Sequence, residues 1–332
     1  MLPTGSDVHI DTALSSFAMQ YRNPEYIATS VLSRRSVSKK SDYYFKFLKG
    51  AWFRDEAALR APGARSRGGG YPLSSDTYTC REWAFHDDVP DEVRENADAP
   101  LRPDQDAVTF CLNKVLLRLE RLVASLVLTE ANWAAGHTQD AEGGWTTGAG
   151  STFVADMEYA IDYVLSATGF KPNVLVIDHT TYSKLRQDDA LIEKIKYTQK
   201  GIVTADLIAA AFDLDRVLIG QAVYSDAEET RAGDDFNAVK IWETNSGKGS
   251  GVLLYTPQVV GPKQPTAGAL FQWVRSSMDG LLAQAPSEAM PVGVRKWREE
   301  SIHSDRIEAF MDVDAKLTGS DLGFLFYDTH TT

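Results

Sequence analysis

Apolar side chains recur every three or four residues between Asp104 and Trp133. Val108, Leu112, Val115, Leu116, Leu119, Leu122, Val123 and Leu126 form the stripe, and Lys114, Arg118 and Arg121 fall largely between them. That is the period of an amphipathic helix. Pro103 and Asp104 (or Asp106) supply its start signals. A helix over 104–133 would run about 45 Å at the standard rise, several times the usual length of about three turns. Such a length predicts a spine or a coiled-coil arm rather than one layer of a compact enzyme. A second long element lies near the C-terminus. Ile307, Ala309, Met311, Val313, Ala315 and Leu317 alternate with Glu308, Asp312, Asp314 and Lys316, with Phe310 as the one exception. This period of two predicts a strand over 307–317 of roughly 36 Å, with Val294–Glu300 as its partner. Strand and helix are similarly extended, so the expectation is that one lies along the other.

The stretch between these elements has another texture. Ala134–Gly150 (AAGHTQDAEGGWTTGAG) reads as a linker. After it come a helix over Asp156–Thr168 stopped by Gly169, a buried strand over Asn173–Asp178, and helical stretches at Thr180–Gln187 and Leu191–Gln199. Thr204 stands at the cap of a helix running through Phe212. A strand at Arg216–Tyr224, an acidic surface loop at Ser225–Asp235 and short strands at Val239–Glu243 and Gly251–Tyr255 follow. The block reads as a compact α/β domain with one mixed sheet, inserted between the two parts of an elongated second domain.

The N-terminal quarter cannot form a core of its own. Residues 1–42 show no sustained period and read as an extended arm with one short helical piece. Tyr43–Phe53 (YYFKFLKGAWF) and Thr77–Phe85 (TYTCREWAF) are strand-prone, and Arg54–Asp76 between them carries Pro62-Gly63, Gly68-Gly69-Gly70 and Pro72. The pattern predicts a long β-hairpin with a loose tip. A two-stranded hairpin alone is marginal in water, so another element or another subunit must support it. Charge follows the same division. The chain carries a net −12, yet residues 31–70 hold ten Lys/Arg against Asp42, Asp55 and Glu56. A basic limb on an acidic body suggests contact between copies, with a solvated basic loop as the plainer alternative. The acidic body would repel phosphates, which argues against a dedicated nucleic-acid reader.

Composition narrows the remaining classes. At 43% hydrophobic and 24% charged residues, the chain fits a globular protein rather than a disordered or collagen-like one. Apolar runs such as Leu207–Phe212 fall far short of the ~18 residues of a membrane helix, so no membrane contact is expected. The start, MLPTGSDVHID, lacks the basic and apolar regions of a secretory signal. Cys80 and Cys111 make no disulfide framework and fit a reducing compartment as free thiols.

No catalytic, cofactor-binding or metal-ligating residue is nominated. Gly148-Ala149-Gly150 follows a linker rather than a strand, and position 153 is Phe where a third dinucleotide-loop glycine would stand. Gly247-Lys248-Gly249-Ser250-Gly251 precedes a strand and lacks the Gly-Lys-Ser/Thr order of a phosphate loop. The histidines (9, 86, 137, 179, 303, 330) are scattered. Asp178-His179 ends a buried strand, where α/β active sites often lie, but a strand-end turn with a helix start is by far the better reading of it. Glu158 and Asp162 share a helix face that reads as solvated. The acidic run Asp226–Asp235 lacks the alternation of a calcium loop.

The order of parts resembles the tailed-phage major capsid proteins of the Hong Kong 97-type fold. Family-like phrases are Arg60-Ala61-Pro62-Gly63, Asp76-Thr77-Tyr78-Thr79-Cys80, Thr168-Gly169-Phe170-Lys171-Pro172-Asn173-Val174-Leu175-Val176-Ile177 and Phe212-Asp213-Leu214-Asp215-Arg216-Val217-Leu218-Ile219-Gly220. The resemblance implies an α+β fold with four parts: an N-terminal arm (1–42), an extended loop (43–85), a peripheral domain (86–150 and 286–332, with the spine helix at 104–133) and an axial domain (151–285). It implies a structural, non-enzymatic role: hexamers and pentamers tiling an icosahedral shell around packaged double-stranded DNA, held non-specifically, in a virion assembled in the host cytoplasm. Scaffold, portal and decoration proteins are the further partners it allows. Some members crosslink through a lysine in the loop, but here the tip holds only arginines, so no crosslink is carried over. The expected assembly residues are Arg60, Arg65 and Arg67 at the tip and Trp52 and Trp83 as anchors of the hairpin arms. The alternatives are a bacterial nanocompartment (encapsulin-like) shell and a soluble α/β enzyme with a site near His179.

Overall fold

The computed structural model describes residues 26–46, 49–70, 72, 74–98, 101–148, 150–195, 203–227, 236–244, 247–257, 261, 264–275 and 292–330. In chain order the elements are α1 (Ala28–Val31), β1 (Ser33–Val37), β2 (Ser41–Lys46), α2 (Lys49–Trp52), β3 (Ser74–Thr79), β4 (Arg81–Pro90), α3 (Asp91–Glu95) and α4 (Pro103–Val127). Then follow β5 (Thr138–Asp140), α5 (Phe153–Thr168), β6 (Val174–Asp178), α6 (His179–Leu185), α7 (Asp189–Ile195), α8 (Ala205–Phe212), β7 (Arg216–Gly220), β8 (Val223–Ser225) and β9 (Ala238–Lys240). β10 (Ser250–Leu254), β11 (Gly268–Trp273), β12 (Gly293–Glu299), β13 (Ser304–Leu317) and β14 (Gly323–Tyr327) complete the chain.

The long helix and the long strand form one unit. Ile307, Ala309, Met311 and Val313 of β13 share a core with Val108, Leu112, Val115 and Leu119 of α4. β13 is the central strand of a five-stranded sheet ordered β1-β11-β13-β12, with β4 also paired to it. β12 does pair with it, from Gly293↔Phe310 to Glu299↔Ser304. The helix is shorter than its period suggests and stops at Val127 rather than continuing to 133. Its last carbonyls are taken by side chains folding back, Trp133 Nε1–H onto Val127 O and Asn132 Nδ2–H onto Leu126 O, both at 2.8 Å. These are the acceptors a helix end leaves open.

The alternation along β13 does not divide core from solvent. Phe310 and Asp312, on the face away from α4, are buried too. Two arginines cover that face. The Arg295 and Arg275 guanidinium carbons lie 3.7 and 4.8 Å from the Phe310 ring centroid, and Arg275 pairs with Asp312 at 2.8 Å and Glu82 at 2.5 Å. The polar period is that of an ion-paired lid rather than a wetted surface. Phe310 fits there because Gly293 opposite lacks a side chain, and a Cβ at 293 would stand 2.4 Å from the ring.

The second sheet, also five-stranded, runs β5-β14-β10-β6-β7 and is mixed, with β5/β14 and β6/β7 parallel. Its strands cut across the expected division at 150/151 and 285/286. β5 comes from the supposed linker and β14 from the tail, whereas β11, from the middle block, belongs to the first sheet. The linker is anchored by Trp145, fully buried against Phe153 and Phe326 and donating from Nε1 to Asp156. Gly251 is required beneath it, since a Cβ there would lie 2.5 Å from the indole. The last glycine of the run Gly247–Gly251 thus serves close packing. Helices at α5, α6 and α8 stand where the sequence puts them, α7 covers the start of the one expected over Leu191–Gln199, whose residues 196–199 lie outside the described residues, and Gly169 ends α5 at φ +77°. Thr204 stands at the cap of α8, but its hydroxyl makes no capping bond.

The expected arm over 1–42 is described only from residue 26, and from there it is docked. Ile27, Ala28, Val31 and Leu32 enter the main core, and β1 pairs in parallel with β11. The greater part of the acidic loop, 228–235, lies outside the described residues.

Candidate assembly surface

A hairpin forms, from Ser41↔Thr79 to Lys46↔Ser74, but its first strand stops at Lys46, where the expected strand over Tyr43–Phe53 gives way to the helix α2, and it is rooted differently. Tyr78 stacks on Phe271 of β11 at 4.7 Å and 6°, and Tyr44 lies 5.2 Å from the same ring. Cys80 is buried beside them. The return segment read as one strand breaks at Cys80, whose N–H donates to Lys40 O while that of Thr79 donates to Asp314 Oδ2. Beyond that point the chain is β4, and β4 belongs to the first sheet. The outer side of β2 leaves Tyr43 and Phe45 exposed.

Past the hairpin the chain touches the body once more and then leaves it. Lys49 Nζ donates to Ala167 O at 2.9 Å and pairs with Asp321 at 2.8 Å. The Phe53 ring meets Phe170 edge-on at 5.9 Å. From Arg54 to Gly70 there is no helix or strand, and every residue but Glu56 is exposed. A turn at Ala61–Ala64 closes with Ala64 N–H on Ala61 O at 3.1 Å, and Gly63 takes φ +81°. Pro followed by a positive-φ Gly is the pairing a type II turn requires. Leu59 is fully exposed. Arg60, Arg65 and Arg67 are exposed and make no ion pair with any described residue, in contrast to Arg54, which pairs with Glu56.

The two tryptophans expected to anchor the hairpin arms stand on different elements. Trp52 ends α2. Trp83 lies on β4 opposite Met311, with the Arg118 guanidinium 4.2 Å over its ring. It therefore anchors the first sheet to the spine helix rather than anchoring the hairpin.

A buried carboxylate went unrecognised in the sequence. Glu120, fully buried on α4, accepts Ile27 N–H at 3.1 Å, Ala28 N–H at 2.8 Å and Trp242 Nε1–H at 2.6 Å. Burial pushes its pKa up, and the three N–H donors oppose that shift. The available signal was its place among Leu116, Leu119, Val123 and Ala124. Asp178, read as a possible active-site residue, caps α6 through Thr181 N–H at 2.9 Å and also accepts Ser250 N–H at 3.0 Å, while His179 is exposed. Asp178, Glu243 and His330 place one ligand-type atom each within 4.8 Å of one another. Glu243 already accepts from Lys240 and Thr180, and His330 bonds Thr181, so the trio works as a structural clasp. Burial raises the Cys80 thiol to about 11 and the Cys111 thiol to about 12, which leaves neither a nucleophile near neutral pH.

The bare loop is accessible, and so are two grooves beside the C-terminal half of α4, of about 550 and 980 Å³. No family model matches the chain. The major capsid protein of Burkholderia phage BcepMu is 31% identical over 261 residues, spanning 77% of this chain and 80% of its own. The chain belongs to the phage major capsid proteins. A phage-related protein from Bordetella bronchiseptica RB50 has the same fold, with a TM-score of 0.72 at 22% identity over 98% of this chain and 99% of its own. The capsid of cyanophage P-SCSP1u follows at a TM-score of 0.56 and 11% identity, covering 89% and 86%. The capsid protein's role is structural and its place is the virion shell. The enzyme alternative at His179 falls with that assignment.

Proposed function

We propose that the capsid protein closes its shell by laying the loop 54–70 of one copy on another, with Arg60, Arg65 and Arg67 meeting acidic side chains of the neighbour. One observation carries this reading. A run of exposed residues, including a fully exposed leucine and three arginines without an ion-pair partner among the described residues, projects from a body that is otherwise well packed. An interface of ordinary size uses about 20–30 residues per side, which such a loop together with the hairpin can supply. Weak contacts suffice, because a closed shell multiplies them.

In the Hong Kong 97-type reading, the first sheet with α4 is the peripheral domain and the second sheet with α5–α8 the axial domain. Copies form hexamers and pentamers around double-stranded DNA after assembly in the host cytoplasm, with scaffold, portal and decoration proteins as candidate partners. The relation to phage capsid proteins favours this over a nanocompartment, and nuclease-protected DNA in native particles is the expected content. The Arg65→Glu/Arg67→Glu variant should keep a wild-type melting curve yet lose shells by sedimentation and negative-stain microscopy. Wild-type particles from that variant would remove the tip from assembly.

A further inference from the structure

The larger groove, between the end of α4, the β8–β9 hairpin and the end of β14, has an acidic lining. Glu130, Asp226, Glu243 and Asp328 line it, against Arg121 and Lys240. The cations are already committed. Lys240 pairs with Glu243, and the Arg121 guanidinium carbon stands over Tyr224, 4.0 Å from its ring centroid. Asp328 is held by Lys248. Glu130 is exposed, and neither it nor Asp226, whose carboxylate accepts from the neutral amide of Asn237, has a cation partner among the described residues. The negative field registers on the groove wall, where the Tyr327 hydroxyl is pushed up by burial and then by Glu130, Asp140 and Asp328.

We infer that this groove is the acceptor for the loop tip of a second copy, with Arg65 and Arg67 of that copy seated on Glu130 and Asp226. The inference rests on the assembly reading above and names its missing half. Two features of the chain fit together here: among the described residues, the tip arginines have no acid and these groove carboxylates have no cation. Charge complementarity of this kind selects the partner surface and the register of docking. The groove's free space of about 980 Å³ accommodates several side chains, and the exposed Leu59 would follow the arginines onto Leu128 at its floor. A neighbouring copy is the favoured occupant because the chain itself supplies the complementary charge on a segment that nothing in its own body covers.

Charge exchange in the full-length chain tests this. The Glu130→Arg/Asp226→Arg variant should lower the assembled fraction at least tenfold, as should Arg65→Glu/Arg67→Glu, and the four substitutions combined should restore most of it. Melting curves of the unassembled subunit check folding. Independently, mixed Arg65→Cys and Glu130→Cys subunits should give interchain disulfide dimers in whatever particles form, with Cys80 and Cys111 too buried to compete. Normal assembly of Glu130→Arg/Asp226→Arg, or particles without the dimer, overturns the groove while leaving the tip reading intact. Normal assembly of Arg65→Glu/Arg67→Glu overturns the reading itself.

Discussion

Replacing Glu120 is the sharpest test of how the body holds together. The carboxylate is buried, meets no cation within hydrogen-bond reach among the described residues, and takes three N–H groups from two segments distant in sequence. Glu120→Ala strands all three donors, at about 1–3 kcal/mol for each buried group left unsatisfied. Partial relaxation and the relief of a buried charge reduce the sum, so a loss on the order of 3–5 kcal/mol is expected, typical of breaking a buried charged contact. Glu120→Gln should cost less, on the order of 1–2 kcal/mol, because one oxygen still accepts while the amide NH₂ opposes one donor. The pH dependence gives a second readout. A carboxyl whose folded pKa is raised binds its proton more tightly when folded. Its contribution is therefore full below the ordinary glutamate value and is lost as pH rises through the raised one. Glu120→Gln should flatten that part of the stability profile. Urea unfolding of the unassembled subunit across pH 4–8 measures both effects, and hydrogen exchange at Ile27 and Ala28 localises them. A Glu120→Ala variant within about 0.5 kcal/mol of wild type, with amides 27 and 28 still protected, would refute the account.

Two further outcomes follow from the same packing. Arg275→Ala leaves the buried Asp312 without its cation, so stability should fall by roughly 3–5 kcal/mol in urea, whereas a loss below about 1 kcal/mol would mean that the sheet face is wetted. The thiols of Cys80 and Cys111, raised to about 11 and 12 by burial, should ignore a disulfide reagent at pH 8 until the subunit is unfolded, and prompt reaction would contradict their burial.

The parts legible in the sequence are those whose information is local. The stripe from Val108 to Leu126 announces α4 because helix neighbours are three and four residues apart, and Asp156–Thr168 and Asn173–Asp178 follow for similar reasons. The end of α4 was missed because Trp133 and Asn132 cap it by folding back, which no period records. β13 is readable as a strand, but not as one buried on both faces, since its cover comes from Arg295 on β12 and from Arg275 just past the end of β11. Sheet membership is least local of all. Nothing within Gly323–Tyr327 says that it will lie between β5 and β10. At the candidate site, Arg60, Arg65 and Arg67 stood out through charge and neighbouring glycines, while Glu130 and Asp226 become a pair only once α4 and β8 are placed side by side.

Strand β11 carries two loads at once. β1, the continuation of the arm, lies along it through five positions from Ser33↔Ala269 to Val37↔Trp273, and the root of the hairpin leans on its Phe271. Tension drawn along the arm meets those five positions together, in shear, rather than peeling them one after another. A load applied to either segment therefore ends in the same short strand, and through it in β13 and the spine.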